Sequence, residues 1–115
     1  MGAVLILGLW FSEYDAPCGT KIIQEVSSPD KKYIATLFVK DCGATTSEST
    51  HLNIRTISSK LNTDDEDIFI AQLGDESANV SWLSSNILLV DVPETARIFK
   101  NLDSFKGCQI KYSRK

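Results

Sequence analysis

The sequence contains few of the residues from which catalytic and metal sites are usually built. Its 115 residues include one histidine, His51, three cysteines and one methionine. A single histidine excludes a multi-histidine metal site and a histidine pair for acid–base chemistry. The glycine-rich phosphate-binding patterns, the G-x-S-x-G nucleophile motif and the H-E-x-x-H zinc motif are also absent. We therefore expect no metal, no cofactor and no enzymatic activity.

Positive charge is scarce too, with 12 Lys and Arg against 15 Asp and Glu and a net charge of −3. A chain without a basic stripe is a poor candidate for binding nucleic acid. The acids are concentrated at residues 64–67, DDED, without the alternating spacing and distal glutamate of a calcium loop. We interpret this run as a solvated loop. The charge, as far as it selects a partner, favours a basic protein.

No apolar run is long enough to span a bilayer, which requires about twenty residues. The run at residues 3–11, AVLILGLWF, lacks a basic leader and a cleavage motif. We interpret it as the end of a membrane anchor or signal segment; the alternative is a short buried strand or helix. The expected organisation is an apolar segment over residues 1–11, a linker over 12–20 and a β-domain over 21–115.

Sustained helical periodicity is missing, and short β-rich segments alternate with turn residues instead. We predict an all-β domain that forms one mostly antiparallel meander sheet or a small sandwich. The last two strands, near Arg97 and Gln109, are expected to pair with each other. The predicted core residues are Phe38, Ile54, Phe69, Trp82 and Leu88.

The stretch from Ser28 to Thr46, SPDKKYIATLFVKDCGATT, combines a turn, the longest predicted strand and a cysteine-bearing loop. Pro29 suits the second position of a type I turn. The strand that follows is apolar on both faces, which is typical of a central strand covered on both sides.

Together with STHLNI at residues 49–54, this stretch resembles a family of short uncharacterised bacterial proteins. Their pattern is close to SPDGKYKA, F-x-R, DCGATT and S-T-x-V-S-I. Here Lys31 replaces the usual Gly, Lys40 replaces the usual Arg, and Cys108 is an additional cysteine. The resemblance implies a small envelope-associated β-domain behind a hydrophobic N-terminal segment, and it implies no activity. We expect an extracytoplasmic location, periplasmic or membrane-anchored through residues 3–11, with a cytoplasmic location as the alternative.

The odd number of cysteines leaves at least one of them unpaired in a monomer. If the first two strands form a hairpin about the Pro29 turn, Cys18 and Cys42 lie at the same end of it. A disulfide between Cys18 and Cys42 is therefore predicted, with Cys108 left over, and it would imply an oxidising compartment. The alternatives are a bridge from either residue to Cys108 and three reduced thiols in a cytosolic protein.

Residues with small or hydroxyl side chains cluster beside Cys42. A loop held by a disulfide could present a recognition surface formed by Asp41, Gly43, Thr45, Thr46, Ser49 and Thr50. The alternative is that the hydroxyls only satisfy backbone groups in a turn-rich connection. His51 is expected to face solvent, because it directly precedes an apolar position. A Cys42–His51 nucleophile–base pair is the less favoured alternative to the disulfide.

Two functions are consistent with the sequence. The first is a non-catalytic envelope β-domain that binds or supports another envelope component, an unknown protein partner. The second is a soluble immunity-type or inhibitor protein that masks a basic toxin with its acidic loops, since electrostatic complementarity speeds association.

Overall fold

The computed structural model describes residues 19–41, 48–61, 66–74 and 76–114. These residues form nine β-strands and no helix, so the all-β prediction is confirmed. None of them lies in a helix that is long and apolar enough to cross a membrane. The strands are β1 (Gly19–Ser27), β2 (Tyr33–Asp41), β3 (Ser49–Thr56), β4 (Phe69–Gln72), β5 (Asn79–Ser84), β6 (Ile87–Val92), β7 (Arg97–Asn101), β8 (Ser104–Phe105) and β9 (Cys108–Arg114).

The strands form two sheets. Sheet I has the order β1-β2-β3-β4-β7 and is antiparallel throughout, and its first four strands form a meander. Sheet II has the order β5-β6-β9-β8, in which β6 and β9 run parallel. The predicted pairing of the last two long strands is wrong, because β7 returns to sheet I beside β4 while β9 joins sheet II. In β7, Ile98 is partly buried and Phe99 is 54% exposed, whereas Ile110 of β9 is buried in the core. Strand alternation alone does not specify which sheet each strand joins.

The hydrophobic core lies between the two sheets. Sheet I contributes Leu37, Leu52, Ile54 and Phe69, and sheet II contributes Val80, Leu88, Val90 and Ile110. The burial of Ile54, Phe69 and Leu88 confirms three of the predicted core residues. Trp82 is only half-buried against this core, and its indole N–H donates a hydrogen bond to the carbonyl oxygen of Val26 at 2.9 Å. Phe38 is fully buried as predicted, but on the other face of sheet I.

The predicted turn at Pro29 is present and joins β1 to β2. The Lys31 N–H donates to the Ser28 carbonyl at 2.9 Å. The buried Ser28 hydroxyl donates to the Asp30 carboxylate at 2.7 Å, and this hydrogen bond lowers the pKa of Asp30. Lys31 has a φ of 62°, in the left-handed region where glycine is least strained. This conformation explains why the resembling family usually carries Gly at this position.

The Gln24 side chain connects an edge of sheet I to an edge of sheet II by hydrogen bonds. A bulge between Ile22 and Gln24 changes the register of β1. The Gln24 amide donates to the carbonyl of Val80 at 2.9 Å and accepts from its N–H at 3.0 Å. Gln24 therefore links edge strand β1 to edge strand β5 without a backbone ladder between them.

Candidate functional site

Sheet I has an outer face, turned away from the core, that carries a row of polar residues. Along β3, Ser49, His51, Asn53 and Arg55 alternate with Leu52 and Ile54 of the core. The middle of this outer row is buried: His51 is 7% exposed and Asn53 is 2% exposed. Both faces of sheet I are therefore covered along its central strands, as the two apolar faces of β2 predicted.

His51 occupies the centre of the outer face, so the expectation that it faces solvent is wrong. Its ring stacks on Phe38, which pairs with it across β2 and β3, at a centroid distance of 5.4 Å. Its Nε2 lies 2.7 Å from Ser49 Oγ, and its Nδ1 lies 2.8 Å from Asp67 Oδ2. The interpretation of residues 64–67 as a solvated loop is also wrong for Asp67, whose side chain is only 11% exposed. Burial of His51 is favourable because both ring nitrogens have partners.

The Asp67–His51–Ser49 chain has the connectivity of a carboxylate–histidine–serine nucleophile system. Such a system also requires substrate access to the serine and donors aimed at the developing oxyanion. Phe38 and Asn53 are buried beside the ring, whereas Ser49 itself is half-buried. The hydrogen bonds connect the start of β3 to the segment before β4.

Arg55 ends the polar row and is likewise engaged in structural contacts. Its guanidinium forms an ion pair with Glu25 at 3.0 Å and donates to the Thr36 hydroxyl and to the Ser59 carbonyl. Asn53, between His51 and Arg55, has no hydrogen-bond partner for its amide among the described residues. A buried unpaired amide destabilises a fold, so Asn53 is the residue of this row with the least structural reason to be polar.

A cleft of about 420 Å³ opens on the other side of β3, and we call it the Thr50 cleft. It lies where β2 and β4 end and β3 begins, at the same end of sheet I. Its described lining residues are Val39, Glu48, Thr50, Gln72, Leu73, Gly74 and Glu76. Thr50 reaches this cleft, and Ser49 does not, because successive residues of a strand point to opposite faces.

A second cleft of about 320 Å³ adjoins the first and shares Val39 and Glu48 with it. We call it the Asp41 cleft; it extends along the first residues of β1. Its other described lining residues are Gly19, Thr20, Lys21 and Asp41. The two clefts therefore lie side by side at this end of sheet I.

The structure separates the predicted recognition residues. Asp41 ends β2 and lines the Asp41 cleft, and Thr50, only 6% exposed, lines the Thr50 cleft. Ser49 is bound to His51 on the outer face instead. The remaining three members, Gly43, Thr45 and Thr46, lie outside the described residues.

Of the three cysteines, only Cys108 belongs to the described part of the chain. It is a free thiol in the core, and burial raises its pKa. The predicted partners Cys18 and Cys42 lie outside the described residues. Their described sequence neighbours, Gly19 and Asp41, are directly paired across β1 and β2. The disulfide stays a prediction.

The sequence did not reveal the contribution of Glu48, Gln72 and Glu76 to the clefts. These residues come together only because β4 ends beside the start of β3, and no local motif encodes that arrangement. Across the described ranges, no three side chains of His, Cys, Asp or Glu are grouped to share a metal ion.

Comparison with known proteins gives one match. A family of unknown function, DUF5412, matches residues 2–98, which include the apolar segment, β1 to β6 and the start of β7. Neither the curated proteins nor the solved structures give a significant match. Because the matched range covers most of the chain, the chain belongs to the family of unknown function DUF5412.

Proposed function

We propose that this chain is a non-catalytic, extracytoplasmic β-domain that binds another envelope protein. Residues 3–11 tether it to the membrane, and the end of sheet I near Asp41 and Thr50 forms its recognition surface. The observation that carries this proposal is the pair of adjoining clefts at that end. The family match supports the tether as part of the same unit, since it begins at residue 2 and takes in the apolar segment.

The chemistry of the described side chains favours binding over catalysis. The histidine is buried and hydrogen-bonded to Ser49 and Asp67. The polar side chains that line the Thr50 cleft are carboxylates, an amide and a hydroxyl, with no histidine among the described ones. Such groups can orient a partner by hydrogen bonds, which is how most binding sites obtain specificity.

The alternative function is a soluble immunity-type or inhibitor protein that masks a basic toxin with its acidic loops. The two proposals differ in compartment and therefore in the state of Cys18 and Cys42. An oxidised pair favours the envelope protein, and two reduced thiols favour the inhibitor.

Site-specific cross-linking in living cells tests the recognition surface. A photoreactive amino acid is placed at Thr20 in the Asp41 cleft or at Gln72 in the Thr50 cleft, with Gln109 as the matched control. Gln109 is exposed at the start of β9, at the end of sheet II that lies near Asn86. We expect adducts of one defined mass from Thr20 and Gln72 and none from Gln109. Equal adducts from all three positions, or none from the clefts, would contradict the proposal.

A further inference from the structure

We infer that the Thr50 cleft receives a lysine or arginine side chain of the protein partner. This inference rests on the proposed binding function and specifies the chemistry of its recognition. Three features of the cleft lead to it: unpaired acceptors, an apolar wall and the absence of a competing cation among its described lining residues.

Glu48 and Glu76 are exposed, line the cleft and form no ion pair with any described residue. The Thr50 hydroxyl is more than nine-tenths buried, and its side chain makes no hydrogen bond within the described chain. The buried side-chain atoms without a hydrogen-bond partner among the described residues belong to Asn53 and Asp67, so the Thr50 hydroxyl is accessible from the cleft. It can accept a hydrogen bond from a group that enters the cleft.

The wall of the cleft is apolar where Val39 and Leu73 line it. Lysine and arginine carry a long methylene stem below the charged group, and these stems pack well on apolar surface. The cleft volume of about 420 Å³ lies at the small end of ligand pockets. It has room for one such side chain with its neighbouring backbone.

The charge of the cleft decides which ligand it accepts. No lysine or arginine belongs to its described lining; Lys21 lines the adjoining Asp41 cleft, on the far side of Val39. An ammonium or guanidinium group donates several hydrogen bonds and accepts none, which complements two carboxylates and a hydroxyl. An acidic ligand would be repelled, and a purely apolar one would leave these acceptors unpaired.

The test is a titration of the full 115-residue chain, labelled with ¹⁵N and followed by NMR. The probes are capped tripeptides with glycine on both sides of lysine, arginine, norleucine or glutamate. We expect saturable shifts at the amides of Thr50 and Gly74 with the two basic peptides only. Exposed ion pairs contribute up to about 1 kcal/mol, so Glu48→Gln or Glu76→Gln should each weaken binding about two- to five-fold.

Two further variants serve as controls. Asp103→Asn removes an exposed carboxylate at the other end of the molecule, near Ile110 of β9, and should leave the affinity unchanged. Lys21→Gln removes the neighbouring positive charge and should strengthen binding of the basic peptides slightly. An unfolded variant would be recognised by the collapse of its spectrum, so loss of binding and loss of fold are separable.

Several outcomes would overturn the inference. Equal binding of the norleucine peptide would show an apolar cleft, and unchanged affinity in both glutamine variants would place the basic group elsewhere. Binding of free spermidine but of neither basic peptide would show a polyamine site instead of a side-chain site. If cross-linking from Gln72 in cells persists in the Glu48→Gln, Glu76→Gln double variant, the recognition surface stands and only its charge selectivity falls.

Discussion

Replacing His51 by alanine tests whether its ring is a structural element of sheet I. The substitution removes the stack on Phe38 and both hydrogen bonds of the ring, and it leaves the Asp67 carboxylate buried without its partner. Truncating a buried aromatic side chain to alanine costs about 3–5 kcal/mol. The imidazole is smaller, but an unpaired acceptor adds roughly 1–3 kcal/mol. We therefore expect a loss of about 3–5 kcal/mol in the free energy of unfolding.

Urea unfolding followed by far-UV circular dichroism measures this loss. Because a domain of this size is stable by only about 5–15 kcal/mol, the effect should be obvious in the midpoint. The matched control is Ser49→Ala, which removes one hydrogen bond and should cost only about 1 kcal/mol. A His51→Ala, Asp67→Ala double variant should cost less than the sum of the two single ones, since the two residues then no longer leave each other unpaired. A loss below about 1 kcal/mol for His51→Ala would refute a buried, clamped ring.

Four further predictions concern other parts of the chain. Lys31→Gly should raise the free energy of unfolding by about 0.5–1 kcal/mol, because relief of a left-handed backbone outweighs the added freedom of the unfolded chain; equal or lower stability in urea would contradict this. Burial raises the pKa of Tyr112 to about 12 from its ordinary value of 10.0. Its contribution to the free energy of unfolding is therefore complete below pH 10 and is lost as the pH rises towards 12, by about 1–2 kcal/mol after allowance for its partial exposure. Urea unfolding measured below pH 10 and near pH 12 should show this loss, and a Tyr112→Phe variant should not show it. Ser49 should not be labelled by a fluorophosphonate probe, and stoichiometric labelling seen by mass spectrometry would overturn the non-catalytic proposal. Non-reducing peptide mapping of protein exported to the periplasm should recover Cys18 and Cys42 in one linked peptide, whereas free alkylation of both would remove the disulfide and the envelope assignment together.

The parts of the fold that are encoded locally could be predicted from the sequence. The Pro29 turn and the two apolar faces of β2 are read from neighbouring residues, and both are found in the structure. The burial of His51 could not be predicted in this way. It depends on Phe38 from the preceding strand and on Asp67, sixteen residues along the chain. In a strand that alternates polar and apolar residues, a polar residue is predicted to face solvent unless its buried partners are known.

The same limit applies to the clefts and to the strand order. Thr50 was predicted as a recognition residue from its hydroxyl and its place beside the cysteine loop. The structure adds Glu48 and Glu76, which line one cleft only because β4 ends at Gln72 beside the start of β3. The parallel pairing of β6 with β9 is likewise a long-range choice. Such a pairing depends on which apolar strand faces bury one another. These faces come from distant parts of the chain, so no local pattern specifies the pairing.

Carboxyl footprinting of the protein in its native envelope, compared with the purified chain, tests the proposed recognition surface most directly. A carbodiimide and an amine label exposed carboxylates, and mass spectrometry reports the extent at each residue. We predict that Glu48 and Glu76 are labelled markedly less in the envelope than in the purified protein, because a partner covers the Thr50 cleft, while Asp103 is labelled equally in both. Equal labelling of Glu48 and Glu76 in the two samples would contradict recognition at this end of sheet I.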